Sequence, residues 1–139
     1  MDDVRRPRLA ATSVTVGSPA PRESAQFWAR LLGYRVAADE PPGPGDPPEG
    51  GWALVAPDGD EVGLSIALEH EREYRPPVWP AQPGAQVATQ HIDVHVADGD
   101  LAGAVAWAVA CGARLAEHQP QEEVRVLYSP DGHPFCLYL

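Results

Sequence analysis

His91, Asp93 and His95 stand at every second residue of the segment QHIDVHV (90–96). That spacing sets side chains on one face of a β-strand. Imidazoles and carboxylates sharing a face can hold a metal, shuttle a proton at near-neutral pH or form the floor of a binding pocket. The alternation that groups these three with Thr89 turns Ile92, Val94 and Val96 toward a core. A second such face lies in HPFCLYL (133–139), where Cys136 and Tyr138 alternate with Phe135, Leu137 and Leu139. No motif supplies a base to activate Cys136, so it reads as a small buried hydrophobe rather than a nucleophile. Trp52, Trp79 and Tyr128 are candidate stacking surfaces for a flat ligand. His133 follows a Pro-Asp-Gly turn and is expected to be an exposed loop side chain.

The elements that position these residues follow from periodicity and punctuation. LAATSVTV (9–16) alternates as a strand, and a helix follows with Ser18 as its cap and Pro19 and Pro21 in its first turn. In ESAQFWARLLG the helix sets Ser24, Phe27 and Leu31 on one side, and Gly33 ends it. YRVAA, GWALVA and EVGLSIAL read as three strands. Between the first two, residues 39–51 (DEPPGPGDPPEGG) sustain neither ladder nor helix, and are either an insertion or a lid over a pocket.

The second half repeats this order. TQHIDVHV is a strand, DLAGAVAWAVACG a helix capped by Asp100, ARLAE a strand, and EVRVLYSPDG with HPFCLYL a hairpin. FWARLLGYRVA (27–37) aligns with AWAVACGARLA (106–116), matching Trp28 with Trp107, Gly33 with Gly112 and Arg35 with Arg114. The two tryptophans are therefore expected to pack equivalently. APDG (56–59) aligns with SPDG (129–132), and SVTV (13–16) with HIDV (91–94). The chain is thus two βαβββ modules, residues 1–69 and 87–139, joined by a proline-rich linker over 70–86. Tyr74 and Trp79 in that linker are costly to leave in water and are expected on a pocket rim or a partner subunit. The Trp79–Pro80 bond is a candidate for the cis form.

At 139 residues the modules together can bury a full core without metal or disulfide. Cys111 and Cys136 form no CxxC and are expected to be free, buried thiols. Ten Lys plus Arg against twenty Asp plus Glu give a net charge of −10, which repels nucleic acid and anionic membrane surfaces. The N-terminal stretch MDDVRRPRLAATSV has no signal-peptide h-region, and the apolar runs are short, so a soluble cytoplasmic protein is expected.

Paired βαβββ modules with FWARLLGY after the first strand, HIDVHV opening the second module and a closing SPDGHPFCLYL resemble the vicinal oxygen chelate superfamily. That is the glyoxalase, bleomycin-resistance and dioxygenase group, and the likeness is greatest to its small actinobacterial glyoxalase-like branch. The resemblance implies an α+β fold whose two modules form an open, partly closed barrel-like mixed sheet, and a homodimer or fused pair. Enzymes of the group hold a divalent metal on four strand positions, two per module. Here those positions fall on Ser13, on Gly63 (Leu64 or Ser65 if the register differs by one), on His91 and on Cys136. Glu69, His95 or His118 are the residues that could complete a site, but one histidine and one thiol do not make one. No metal and no cofactor is expected.

The sequence therefore favours metal-independent binding and sequestration of an aromatic or polycyclic natural product or antibiotic, with Ser13, Trp52, Trp79, His91, Asp93, His95, Tyr128, Cys136 and Tyr138 contacting the ligand. The alternative is a divergent lyase, isomerase or dioxygenase using His91 as general base or residual metal ligand, with Asp93 orienting or opposing it. A third reading is a structural or regulatory module with no ligand.

Overall fold

The computed structural model describes residues 4–139, so the first three residues of the N-terminal segment lie outside it. β1 is Ser13–Ser18, shorter at its start than the alternating pattern predicted, with Val14 and Val16 turned toward the core. α1 spans Pro21–Leu32. Its cap is Ala20, not Ser18: the Ser18 hydroxyl accepts the Ala20 N–H at 3.0 Å, two residues too early to serve the helix itself. Pro21 fills the first helical position, where no N–H is needed. Gly33, at φ 67°, ends the helix in a left-handed conformation that a side chain would resist.

β2 (Arg35–Glu40), β3 (Trp52–Ala56) and β4 (Ser65–His70) complete the first module. β2 runs two residues into the stretch expected to be loop, because Asp39 and Glu40 pair with Ala53 and Trp52 and Arg22 of α1 grips Asp39 at 2.6 Å. The sheet order is β1-β4-β3-β2, with β1 parallel to β4 and the remaining pairs antiparallel.

The second module repeats this layout with β5 (Ile92–His95), α2 (Leu101–Cys111), β6 (Arg114–Leu115), β7 (Val124–Tyr128) and β8 (Pro134–Tyr138), ordered β5-β8-β7-β6. Asp100 caps α2 as predicted, accepting the Gly103 N–H at 2.9 Å. β6 stops at Leu115 because the Gln119 side chain replaces the ladder: its carbonyl takes the Val126 N–H and its amide bonds the Ala116 and Val126 carbonyls, all at 2.9 Å.

Strand registers align the two modules residue by residue. Arg35 opposes Ala56 as Arg114 opposes Tyr128, and the row Val55, Ile66, Val14 corresponds to Leu127, Phe135, Ile92. Ser13 then matches His91, Thr15 matches Asp93, and Ala67 matches Cys136. The position expected at Gly63 is thus corrected to Ala67, because the first module carries a longer β3–β4 turn; Gly63 and Leu64 precede the strand and Ser65 begins it.

The helices pack on one side of their sheets and share a single core. Phe135 of β8 meets Phe27 and Trp28 of α1 edge-on, with ring centroids 5.9 and 5.4 Å apart. The matched tryptophans diverge. Trp28 is 1% exposed, whereas Trp107 is 50% exposed and donates its indole N–H to the Leu31 carbonyl at 3.1 Å. Among the described residues no strand of one sheet contacts a strand of the other. The two modules are therefore two separate four-stranded sheets, neither of them closed into a barrel.

Residues 70–86 fold back on themselves, with the Val78 N–H donating to the Gln86 carbonyl at 2.8 Å and a cis Trp79–Pro80 bond. The Tyr74 hydroxyl donates to the Asp131 carbonyl at 2.6 Å, fastening this linker over the β7–β8 turn. Among the described residues no helix is long and apolar enough to cross a membrane.

Candidate functional site

Directly opposed residues in a ladder project from the same face. On the second sheet the face away from the helices carries Asp93, Cys136 and Val126 in one row, and His95, Tyr138 and Val124 in the next. His91 precedes β5 on the same side, beside the row that pairs Pro134, Tyr128 and Arg114. On the first sheet the corresponding face carries Ser13 with Ser65, Thr15 with Ala67 and Leu54, and Glu69 with Trp52 and Glu40. Eight of the nine candidate residues thus divide between two helix-free faces, Ser13 and Trp52 on one, and His91, Asp93, His95, Tyr128, Cys136 and Tyr138 on the other, while Trp79 lies in the linker.

Several of them are engaged within the chain. The Tyr128 hydroxyl donates to the Trp79 carbonyl at 2.6 Å, and the Arg114 guanidinium lies over the Tyr128 ring at 4.4 Å. The Trp79 indole leans on His118 with centroids 5.5 Å apart, and the His95 ring leans on Tyr138 at 5.3 Å. His133 is partly buried rather than free in the loop: its Nε2 lies 2.7 Å from the Gly17 carbonyl and its ring meets Tyr74 edge-on. Of the loop between β2 and β3, residues 45–47 and 49 border a hollow with His70 and Arg72, and none lines the main cavity.

His91, Asp93 and Cys136 converge. His91 Nε2 lies 3.1 Å from Asp93 Oδ1, and one donor atom from each of the three residues falls within 4.8 Å of the others. Cys136 is half-buried rather than buried. Burial pushes its thiol pKa up, and the charge of Asp93 and a hydrogen bond to it add to the rise. The thiol is therefore held protonated, the opposite of what a nucleophile needs. A divalent ion shared by both modules requires donors from the first sheet, where Ser13 and Ala67 stand at the matching positions. This donor set does not fit the metal that the superfamily resemblance implies.

A cavity of about 710 Å³ opens between the free edge of β1 and the start of β5. Val14 to Gly17 form one wall, Thr89 to Asp93 another, and linker residues including Glu71, Glu73 and Tyr74 the rim, while Trp28 contributes from α1. Of the candidates named from sequence, His91 and Asp93 line it; Ser13, Trp52, Trp79, His95, Tyr128, Cys136 and Tyr138 do not. Trp28, Glu71 and Glu73 carried no sequence signal of a site, since Trp28 looked like a helix packing residue and the glutamates lie in an irregular linker. Trp28 has a buried indole N–H without a hydrogen-bond partner.

Comparison with solved structures finds the same fold at low identity. The fosfomycin resistance protein FosX from Listeria monocytogenes, in a mutant complexed with Mn(II) and 1S,2S-dihydroxypropylphosphonic acid, is 12% identical with a TM-score of 0.67, covering 93% of this chain and 90% of that one. FosX from Mesorhizobium loti is 12% identical at a TM-score of 0.64, covering 93% and 90%. TnmS3, an antibiotic binding protein from Streptomyces sp. CB03234, is 18% identical at 0.55, covering 96% and 98%. No curated protein matches the chain in sequence. The family model of the glyoxalase-like domain matches residues 13–138, nearly the whole of both modules. With that match, the paired βαβββ topology and the shared register, the chain belongs to the glyoxalase-like domain family of the vicinal oxygen chelate superfamily.

Proposed function

We propose that the protein binds a small aromatic or polycyclic natural product and sequesters it without a metal, in the manner of a resistance protein. The observation that carries this reading is the cavity between the modules, whose volume of about 710 Å³ suits a drug-sized molecule, beside strand positions that lack a two-module donor set. Sequestration needs contact area and shape and no Lewis acid. The likeness to TnmS3, described as antibiotic binding, is in keeping with it, whereas the likeness to FosX, described in complex with Mn(II) and a phosphonic acid, is in keeping with an enzyme. The aromatic and titratable side chains on the two helix-free faces favour a homodimer in which a second copy covers them, and the protein would act in the cytoplasm.

One observation favours a second reading, that of an enzyme. His91 beside Asp93 at 3.1 Å is a pairing in which a carboxylate orients an imidazole acting as general base.

The test is titration of the purified protein with anthraquinone and other polycyclic antibiotics, followed by chromatography of the recovered ligand. Submicromolar binding that survives EDTA, with the ligand recovered unchanged, supports sequestration. Product that accumulates over many turnovers and vanishes in His91→Ala would instead establish the enzyme.

A further inference from the structure

We infer that the cleft between β1 and β5 takes ligands with a linear peptide portion, laid in extended form between the two strands and bonded to the open edge of each. This rests on the ligand-binding reading above and adds a peptide backbone to the ligand's chemistry.

The walls show main chain as well as side chains. Successive side chains of a strand point to opposite faces, so a cavity bordered by one face touches every second residue. This cavity is lined by every residue of 14–17 and every residue of 86–93, so it meets both runs along their edges. β1 and β5 are end strands of their sheets. Each residue of a strand turns its N–H and C=O to one edge, and the next residue turns them to the other. The Ser18 carbonyl accepts the Glu71 N–H at 2.9 Å on the β4 side, so Val14, Val16 and Ser18 bond inward and Ser13, Thr15 and Gly17 face the open edge. The Val96 N–H donates to the Tyr138 carbonyl at 2.8 Å, so Ile92 and Val94 likewise bond to β8 while His91, Asp93 and His95 face outward. His133 Nε2, 2.7 Å from the Gly17 carbonyl, occupies the far end of the β1 edge. The main-chain groups of Thr15 and Asp93, at matching positions of the two modules, have no partner among the described residues.

The spacing suits one added strand. No Cα of β1 comes within 8 Å of one in β5, which is too far for the two edges to bond each other. Paired strands lie about 4.8 Å apart, so a single strand between two edges requires roughly 9.6 Å. Open edges pair with extended peptides. Along each edge the outward groups recur at every second residue, a repeat of about 6.6 Å that a peptide backbone reproduces and a fused ring system does not. The added strand continues the alternation of its neighbours. Its residues in line with Val14, Val16 and Ile92 turn toward the core beside Trp28 and are apolar, and those in line with Thr15 and Asp93 turn to the helix-free face and are polar.

The test uses acetylated pentapeptide amides with threonine at the first, third and fifth positions and every combination of valine, isoleucine, leucine and phenylalanine at the second and fourth, screened as a pool and then singly by isothermal titration. At least one should bind with a micromolar Kd. N-methylation of its amides at either alternate set of residues should weaken it at least tenfold, because one set bonds β1 and the other β5. On saturation the Thr15 and Asp93 amide protons should exchange with solvent at least tenfold more slowly, while those of Val16 and Val94, already in ladders, stay as they were. Thr15→Pro removes an outward N–H at an edge position where proline is tolerated, and should also weaken the peptide at least tenfold. Should that variant fail to fold, the N-methylated peptides and the exchange rates of the wild-type protein answer the same question. Affinity that survives N-methylation of either set, unchanged exchange at Thr15 and Asp93, or no binding by the pool where anthraquinone antibiotics bind, overturns the inference while leaving ligand binding intact. Binding of neither peptides nor anthraquinones overturns the binding reading with it.

Discussion

Replacing Phe135 with alanine removes the side chain on which the cores of the two modules meet. Phe135 is 0% exposed, and its ring touches Phe27 and Trp28 of the other module edge-on. A Phe→Ala change in a core costs roughly 3–5 kcal/mol through lost transfer free energy and the residual cavity. The two edge-to-face contacts, each worth roughly 0.5–1.5 kcal/mol, place this site toward the upper half of that range, at about 4 kcal/mol. Against a domain stability of roughly 5–15 kcal/mol, the variant should fold but sit close to its limit. For a chain of this size about 4 kcal/mol corresponds to a fall of about 15 °C in melting temperature. The assay is urea unfolding followed by both tryptophan fluorescence and far-UV circular dichroism. Because the ring joins β8 to α1, the loss should appear as one cooperative transition shifted for both probes. A cost below about 1.5 kcal/mol, or a first module that melts where it did before, would refute the shared core.

Asp100→Ala should cost about 1 kcal/mol in the same unfolding assay, the usual worth of a side chain capping a helix start, and Asp100→Asn should recover most of it. Gln119→Ala should cost roughly 1–3 kcal/mol by leaving the Val126 amide and the Ala116 carbonyl without this partner, with faster hydrogen exchange confined to the β6–β7 pair. Alkylation of Cys136 by iodoacetamide should need a higher pH than alkylation of a free thiol, and Asp93→Asn should lower that pH by removing a charge that opposes the thiolate. The same raised pKa makes folding stability greatest below the pH at which the unfolded thiol ionises, near the ordinary value of 9.0, with a loss as pH climbs through the folded value. Cys136→Ala should flatten that alkaline loss.

The amino-acid sequence by itself determined the module repeat and the direction of its side chains. Alternation in QHIDVHV and HPFCLYL is a local property, because successive side chains on a strand point to opposite faces whatever surrounds them. That placed His91 and Asp93 on one face, with Cys136 and Tyr138 on another strand of it, as the registers have them. Gly33 and Gly112, both left-handed helix ends, marked the equivalent boundary of each module before any contact was known. Local pattern could not decide which residues stand across from one another once turn lengths differ. The longer β3–β4 turn moved the partner of Cys136 from Gly63 to Ala67, and only hydrogen-bonded register reveals such a slip. Nor could it tell Trp28 from Trp107. Both occupy the same place in a helix, yet one is sealed against Phe135 and borders a cavity while the other lies half in solvent with its N–H satisfied. That difference arises from how two similar modules pack against each other, a long-range arrangement that periodicity along either module does not encode.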